Sequence, residues 1–358
     1  MSEPLVEIKD LRIQFDVREG IVKAVDGATF DIKRGQTLGV IGESGCGKSM
    51  TAKAILNMVP RPGKIVGGEI IYYRRARHNG SEVAEPVNIT QLDPDGPEIR
   101  SIRGGEIGMI FQEPMSSLTP VYTAGAHIME AAMLHRLVPV RTIGDQMVET
   151  IRAHRRLTKQ EARELAIEML QKVGIPKPQQ RVDSYPHQLS GGQRQRVMIA
   201  IALSCQPAML IADEPTTALD VSIEAQILDL MRDLQRSMGM AIMFITHNLG
   251  VIAEMAEEIV VMYMGKEVER ASAVDLFYDP KHPYTRDLLK SIPRVGKKSK
   301  ERLASIKGMV PDPFHLPTGC LFHPRCPDFM PGRCDRVAPG WQKVGEGHWV
   351  SCLLYERA

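Results

Sequence analysis

The stretch Gly42-Glu43-Ser44-Gly45-Cys46-Gly47-Lys48-Ser49 constrains the fold of this chain more than any other feature. It follows a short apolar run, Leu38-Gly39-Val40-Ile41, and leads into a segment from residue 48 to 59 of helix-forming composition. A strand that passes through a Gly-rich turn into a helix folds its backbone N–H groups inward around an anion. The N-terminus of the helix adds partial positive charge there. The pattern predicts nucleoside triphosphate binding. Gly42, Ser44, Gly45, Cys46, Gly47 and Met50 are expected to line the phosphates. Lys48 is expected to reach the β- and γ-phosphates, and Ser49 to ligate Mg²⁺.

The remaining pattern predicts an α/β fold. Residues 5–42 read as strands, with Val6, Ile8, Leu11 and Ile13, then Ile21, Val22 and Val25, between turn signals such as Arg34-Gly35. Further buried strands are expected at 107–111, 208–213 and 241–246, an amphipathic helix at 221–238, and helical structure over 123–175. The helix from Lys48 is expected to end at Pro60 and Pro62. Residues 74–98 are polar and rich in Pro, Asp and Gly, which predicts an inserted surface loop. Strands and helices that alternate in this way imply a largely parallel sheet with helices on its faces. The run Lys297-Lys298-Ser299-Lys300-Glu301-Arg302 marks a linker to a Pro- and Cys-rich tail.

Three later features carry chemistry. Asp213 ends the apolar run Met209-Leu210-Ile211-Ala212, where a carboxylate can hold Mg²⁺ through water, and Glu214 follows it. His247 ends Phe244-Ile245-Thr246. Leu189-Ser190-Gly191-Gly192-Gln193 stands directly before a helix, so the Ser190 hydroxyl and the glycine amides can present a second anion site. A plain helix cap would account for Ser190, but not for two glycines with Gln193.

Phosphate loop, LSGGQ, strand-end Asp-Glu and downstream His, in that order, resemble the ATP-binding-cassette (ABC) ATPases over residues 5–290. The resemblance implies a P-loop ABC cassette at 1–290. It would have a mostly parallel core sheet, an N-terminal antiparallel β subdomain and a helical subdomain at about 123–205. Residues 291–358 would form a small Cys-rich extension. It gives Glu214 the polarising of the attacking water and His247 a contact to the γ-phosphate. Ser190, Gly191, Gly192 and Gln193 would complete the site of a second subunit in a head-to-tail dimer. Phe15 stands where an aromatic stacks on adenine, though a core Phe is an alternative. Gln112 matches a glutamine that senses Mg²⁺ and nucleotide, and Ala218-Leu219-Asp220 a loop that crosses the dimer interface.

Further motifs narrow the resemblance to the oligopeptide/dipeptide/nickel importer subfamily. They are Phe111-Gln112-Glu113-Pro114-Met115-Ser116-Ser117-Leu118-Thr119-Pro120, Pro215-Thr216-Thr217 after Glu214, His282-Pro283-Tyr284-Thr285, and Cys320-x-Phe322-x-x-Arg325-Cys326-Pro327. Asn248 stands where Asp is common and Thr119 where Asn is usual. The resemblance implies ATP and Mg²⁺ as cofactors. Its implied partners are a second ATPase subunit, two integral-membrane permeases and an extracytoplasmic solute-binding protein, and its implied place is the cytoplasmic face of the membrane. Peptides are the expected cargo. An oligosaccharide or glycoside, an opine-like solute and a nickel chelate are the alternatives, and a soluble non-transport ABC ATPase is the rival of another class.

Composition excludes some classes. A net charge of +2 gives no case for nucleic-acid binding, and no run of apolar residues is long enough to span a bilayer. The N-terminal MSEPLVEIKD lacks an apolar signal segment, which predicts a cytoplasmic chain. About 140 residues separate the phosphate loop from LSGGQ without a sustained heptad, which disfavours a DNA-repair ATPase. Cys320, Cys326, Cys334 and Cys352 are separated by five, seven and seventeen residues, without the paired C-x2-C knuckles usual for zinc. Four thiolates so spaced suit a [4Fe–4S] cluster, which some members of the resembled subfamily carry. Zn²⁺ is the alternative, with His315, His323 and His348 nearby. Either would serve as a structural clip for a small tail.

Overall fold

The computed structural model describes residues 3–78, 81–111, 141–217, 219–291 and 306–356. Gln112, the motif 113–120, Ala218 and the linker 297–302 lie outside the described residues. The chain divides into two compact units. One comprises residues 1–33, 37–91 and 244–358, the other 34–36 and 92–243.

In the first unit, β1 (Pro4–Val17) and β2 (Gly20–Lys33) form the expected N-terminal antiparallel pair. β4 (Gly63–His78) and β5 (Ser81–Asn88) extend the sheet to the order β2-β1-β4-β5. The 74–98 segment is therefore not a plain loop. The β4–β5 register runs from Ile71↔Asn88 to His78↔Ser81 and sets Arg74 opposite Glu85. Residues 83–86 are exposed, so the outer part of this hairpin covers no core. Backbone pairing holds it, and an alternation of apolar and polar residues is not required of it. The 3₁₀ turn Ile89–Gln91 follows, and beyond it the helix α2 (Pro97–Ile102) already belongs to the second unit.

β3 (Thr37–Ile41) is buried at every residue and pairs in parallel with β9 (Glu258–Tyr263). Burial on both faces explains why it reads as an unbroken apolar run. α1 (Lys48–Ile55) leaves β3 through the phosphate loop and ends at Leu56, before Pro60. β10 (Lys266–Ser272) pairs antiparallel with β9. The tail hairpin β11 (Trp341–Gly345) and β12 (His348–Ser351) adds to β10, with Glu269 opposite Val350 and Arg270 opposite Trp349. The sheet is thus parallel beside the loop strand and antiparallel toward the tail.

The second unit holds β6 (Ile107–Ile110) and β7 (Met209–Asp213), a fully buried parallel pair. Besides α2, its described helices are α3 (Ile143–His154), α4 (Lys159–Lys172), α5 (Pro178–Arg181), α6 (Gly191–Leu203) and α7 (Val221–Met238). Local chemistry sets their starts. Thr142 caps α3, and Thr158 with Glu161 forms a capping box on α4. Gly239, in the left-handed region, stops α7. β8 (Ala241–Ile245) crosses the boundary between the units, and α8 (Leu249–Met255), α9 (Ala273–Tyr278) and α10 (Pro283–Lys290) return to the first. No described helix is long and apolar enough to cross a membrane.

Two buried carboxyls anchor the first unit, by different means. Glu269 is fully satisfied: it accepts from the Lys281 and His282 N–H groups at 2.6 and 2.9 Å and lies 2.8 Å from His348 Nε2, which ties the tail to α10. Glu267 accepts from the Thr29 N–H, and its other oxygen has no hydrogen-bond partner among the described residues. Burial pushes the Glu267 carboxyl up from 4.5 to about 8, against the pull of the Thr29 N–H and Arg270. The folded state therefore holds a proton that the unfolded chain has released between pH 4.5 and about 8, so stability falls as pH rises through that window. Glu267→Gln copies the neutral acid and cannot ionise. Its urea midpoint should match that of the parent near pH 5 and exceed it increasingly toward pH 8.5. Parallel pH curves for the two proteins would show that Glu267 is ionised in the fold.

Candidate active site

The phosphate loop is held open by its glycines. Gly42 and Gly47 have φ of 150° and 105°, and a Cβ would meet Met262 O at 2.2 Å on Gly42 and Ala24 O at 2.4 Å on Gly47. The loop is thus gripped between β2 and the end of β9, where any side chain at these positions would collide with backbone. Gly47 is also the residue before α1, and no side chain caps that helix. Gly47 thus puts no capping side chain over the start of α1, which suits an anion site.

Lys48 is buried, and its ammonium donates to Gly42 O at 2.8 Å and Glu43 O at 3.0 Å. Its stem is fixed, and its charge faces the concave side of the loop. Cys46 is buried 3.7 Å from Lys48 Nζ, and burial raises its thiol pKa, so it fills space as a neutral small group. Ser44 and Gly45 are exposed at the loop tip, while Ser49 and Met50 are half-buried in the first turn of α1. Phe15 is half-buried and paired to Gly63, whose missing Cβ would fall 2.6 Å from the ring. The ring thus lies on bare backbone instead of in the core.

His247 is exposed beyond β8, outside the core. Asn248, a departure from the subfamily pattern, caps α8. Its Oδ1 accepts from the Gly250 N–H at 3.1 Å and the Val251 N–H at 3.5 Å. Asn caps as well as Asp, so this departure leaves the turn intact.

In the second unit, Asp213 ends β7 and is 3% exposed. Glu214 has φ of 50°, a conformation that costs a non-glycine residue free energy and recurs at functional sites. Thr217 holds the turn, donating its N–H to Glu214 O at 3.2 Å and its hydroxyl to Glu214 Oε2 at 3.1 Å. The LSGGQ segment opens α6 with a full capping box. Ser190 Oγ accepts from the Gln193 N–H, and Gln193 Oε1 accepts from the Ser190 N–H. Helix capping therefore accounts for Gln193 as well as Ser190, which sequence alone did not suggest. Gly192 is needed because a Cβ would sit 2.8 Å from Ile223. Gly191 is exposed and nothing lies closer to its Cβ position than Leu219 at 3.9 Å, so packing does not require a glycine there. Asp220 is the cap residue of α7, next to that Leu219.

Sequence reasoning missed the surroundings of Glu43. The Tyr284 hydroxyl accepts from the Glu43 N–H at 2.9 Å, and Arg325 binds the Glu43 carboxylate with both terminal nitrogens, at 2.7 and 3.0 Å. The His282-Pro283-Tyr284 motif has a local logic. Burial lowers the His282 pKa to about 4, so Nδ1 stays free to accept the Tyr284 N–H at 3.0 Å and start α10. Both tail-side residues lay inside motifs already singled out, but only the folded chain brings them to the loop.

The metal expectation for the tail, a [4Fe–4S] cluster or Zn²⁺, is not supported by the described residues. Among the described residues, no group of three or more His, Cys, Asp and Glu side chains could hold a metal ion. Cys320, Cys326, Cys334 and Cys352 are all free thiols. Burial pushes Cys326 up to about 12 and Cys352 up to about 11 and also raises Cys320, so these three are protonated near neutral pH. Cys320 and Cys334 are neighbours along the backbone: Cys320 donates its N–H to Cys334 O at 2.8 Å.

The sequence matches the ABC transporter family over residues 25–217 and the oligopeptide/dipeptide transporter C-terminal region over residues 268–334. It is 44% identical to the oligopeptide transport ATP-binding protein AppD of Bacillus subtilis, over 98% of this chain and 97% of that protein. It is 41% identical to the dipeptide transport ATP-binding protein DppD of Haemophilus influenzae, over 95% of this chain and 93% of that protein. The ATP-binding cassette MJ0796, solved as a dimer in a post-hydrolysis state with ADP and Pi, aligns at 26% identity with a TM-score of 0.57. The alignment covers 75% of this chain and 98% of that one.

Proposed function

The chain belongs to the ABC transporter ATP-binding family, and from that premise we propose that it energises a peptide importer by hydrolysing ATP. The observation that carries the reading is the loop: an α1 start without a capping side chain, glycine positions closed to any side chain, and Lys48 held over Gly42 O and Glu43 O. ATP supplies the polyphosphate that these groups fit, and Mg²⁺ supplies charge neutralisation between its β- and γ-phosphates.

In this reading Lys48 would exchange a carbonyl for the terminal phosphates, and Ser49 and Gln112 would hold Mg²⁺. Asp213 holds a water on the metal side, Glu214 takes the proton of the attacking water, and His247 contacts the γ-phosphate. Phe15 stacks on the adenine. Ser190, Gly191, Gly192 and Gln193 act on the nucleotide of a second ATPase subunit, with Asp220 at the interface. The exposure of Ser190 and Gly191 supports this, since a group that serves another subunit must lie on the surface. Residues 1–290 act as the cassette and 291–358 as its extension, docked on the cytoplasmic side of two permease subunits that receive solute from a binding protein. Peptide is the cargo by the names of the relatives, AppD and DppD among them.

The four tail cysteines are read as ligands of a [4Fe–4S] cluster. In such a cluster each sulfur takes a different iron, so the four stand wider apart than around a single ion. The spacing of the four cysteines, without the paired C-x2-C knuckles usual for zinc, supports this reading over zinc.

One preparation tests all of this. The chain is recovered anaerobically from its native membranes in gentle detergent, partners are identified by mass spectrometry, and iron, zinc and acid-labile sulfide are measured. The expected result is two permeases, a second ATPase subunit and a binding protein that takes peptides, with iron and sulfide in equal amounts near four per chain. Recovery with ribosomal or DNA-associated partners alone would end the transport reading. Metal-free protein with an intact tail would end the cluster reading.

A further inference from the structure

Arg325 lies 282 residues from Glu43 in sequence, yet the two side chains form a bidentate pair at the second position of the phosphate loop. Arg325 is buried, and every arm of its guanidinium is used. Nε donates to Lys307 O at 3.2 Å, while Nη1 and Nη2 take the two Glu43 oxygens. Its Cζ lies 5.9 and 6.0 Å from the centres of the Tyr263 and Phe322 rings. Those rings are themselves locked. Phe322 is 1% exposed and meets Tyr263 at 5.3 Å and Tyr284 at 5.4 Å, edge-on in both cases. The Tyr284 hydroxyl in turn takes the Glu43 N–H. One residue of the phosphate loop is therefore fixed at its backbone by α10 and at its side chain by the tail.

The chemistry of the loop makes this pairing consequential. A carboxylate two residues into a site for a triphosphate repels the ligand, because like charges in a partly dehydrated site interact strongly. We infer that Arg325 is a positioning residue of the nucleotide site: it neutralises Glu43 and turns that carboxylate toward the tail, so that the loop receives a triphosphate without a competing negative charge. This assigns the Phe322-x-x-Arg325 part of the tail motif a role in ATP affinity, separate from any role of the cysteines on either side. The inference rests on residues 42–49 being the ATP phosphate site.

The test is isothermal titration of the full-length chain with ATP and with ADP. Arg325→Met keeps much of the stem packing and removes the charge. Its ATP affinity should fall about tenfold, and its ADP affinity by less, because the repulsion grows with phosphate charge. Glu43→Gln in the Arg325→Met background should restore most of the ATP affinity. Thermal unfolding of the same proteins checks that each is folded. A purely structural role for Arg325 predicts equal losses for ATP and ADP and no rescue by Glu43→Gln, and either result would overturn the inference. A parent chain that binds ATP, with Arg325→Met binding it equally well, would overturn the inference while leaving the ATP site in place. A parent chain that binds no ATP at all would overturn both.

Discussion

Glu214→Gln is expected to bind ATP with little change and to hydrolyse it about 10²- to 10⁴-fold more slowly, the range associated with losing a positioned base. The substitution keeps the shape of the side chain, and its amide oxygen can still accept from the Thr217 hydroxyl, which now lies 3.1 Å from Glu214 Oε2. The backbone is not disturbed either: the φ of 50° at Glu214 is stabilised by the Thr217 N–H on Glu214 O, a contact the variant retains. What is lost is an oxygen able to take a proton. The result should be a chain that loads ATP and stalls, accumulating the nucleotide-bound dimer. Steady-state phosphate release gives the rate, and size-exclusion chromatography with ATP gives the dimer. Undiminished phosphate release would remove Glu214 from its assigned role.

Thr217→Ala refines the argument, since it removes one hydrogen bond from the Glu214 carboxylate without altering its chemistry. If the left-handed turn serves to aim that carboxylate, turnover should fall by less than in Glu214→Gln, because only orientation is lost.

The sequence disclosed those parts of the site that short stretches of backbone specify. The loop, its strand and its helix are contiguous, so residues 38–55 suffice to define them. Asp213 is legible because a buried parallel strand reads as an apolar run and the residue ending it stands out. Two kinds of information stayed hidden. The β4–β5 hairpin has no apolar alternation because its outer part covers no core, and hydrophobic periodicity reports burial before it reports pairing. The Arg325–Glu43 pair joins residues from opposite ends of the chain, and nothing local to either side marks the partner. The tail cysteines show the same limit. Their number and spacing were plain, but whether the sulfurs close on one ion depends on the fold of loops that spacing does not determine.

Lys48→Ala is expected to weaken ATP binding by on the order of a hundredfold, about 3 kcal/mol, the scale for removing one partner of a desolvated charged contact. The free protein shows how the residue is prepared for this. Its ammonium donates to Gly42 O and Glu43 O, two carbonyls of the very loop that must bind an anion. Those carbonyls would otherwise face the incoming phosphates and repel them. On the proposed reading Lys48 would screen them before ATP arrives and pair with the phosphates afterwards. The alanine variant loses both effects, so its defect should exceed that of a residue that only contacts the ligand. Lys48→Arg separates the contributions. It keeps the charge, but a planar guanidinium cannot replace a compact ammonium between two carbonyls at 2.8 and 3.0 Å, so affinity should recover only in part. Titration calorimetry of ATP into parent, Lys48→Ala and Lys48→Arg proteins, with unfolding curves alongside, reads both effects. If the alanine variant is folded and binds ATP as the parent does, the loop is not the phosphate site, whatever its sequence.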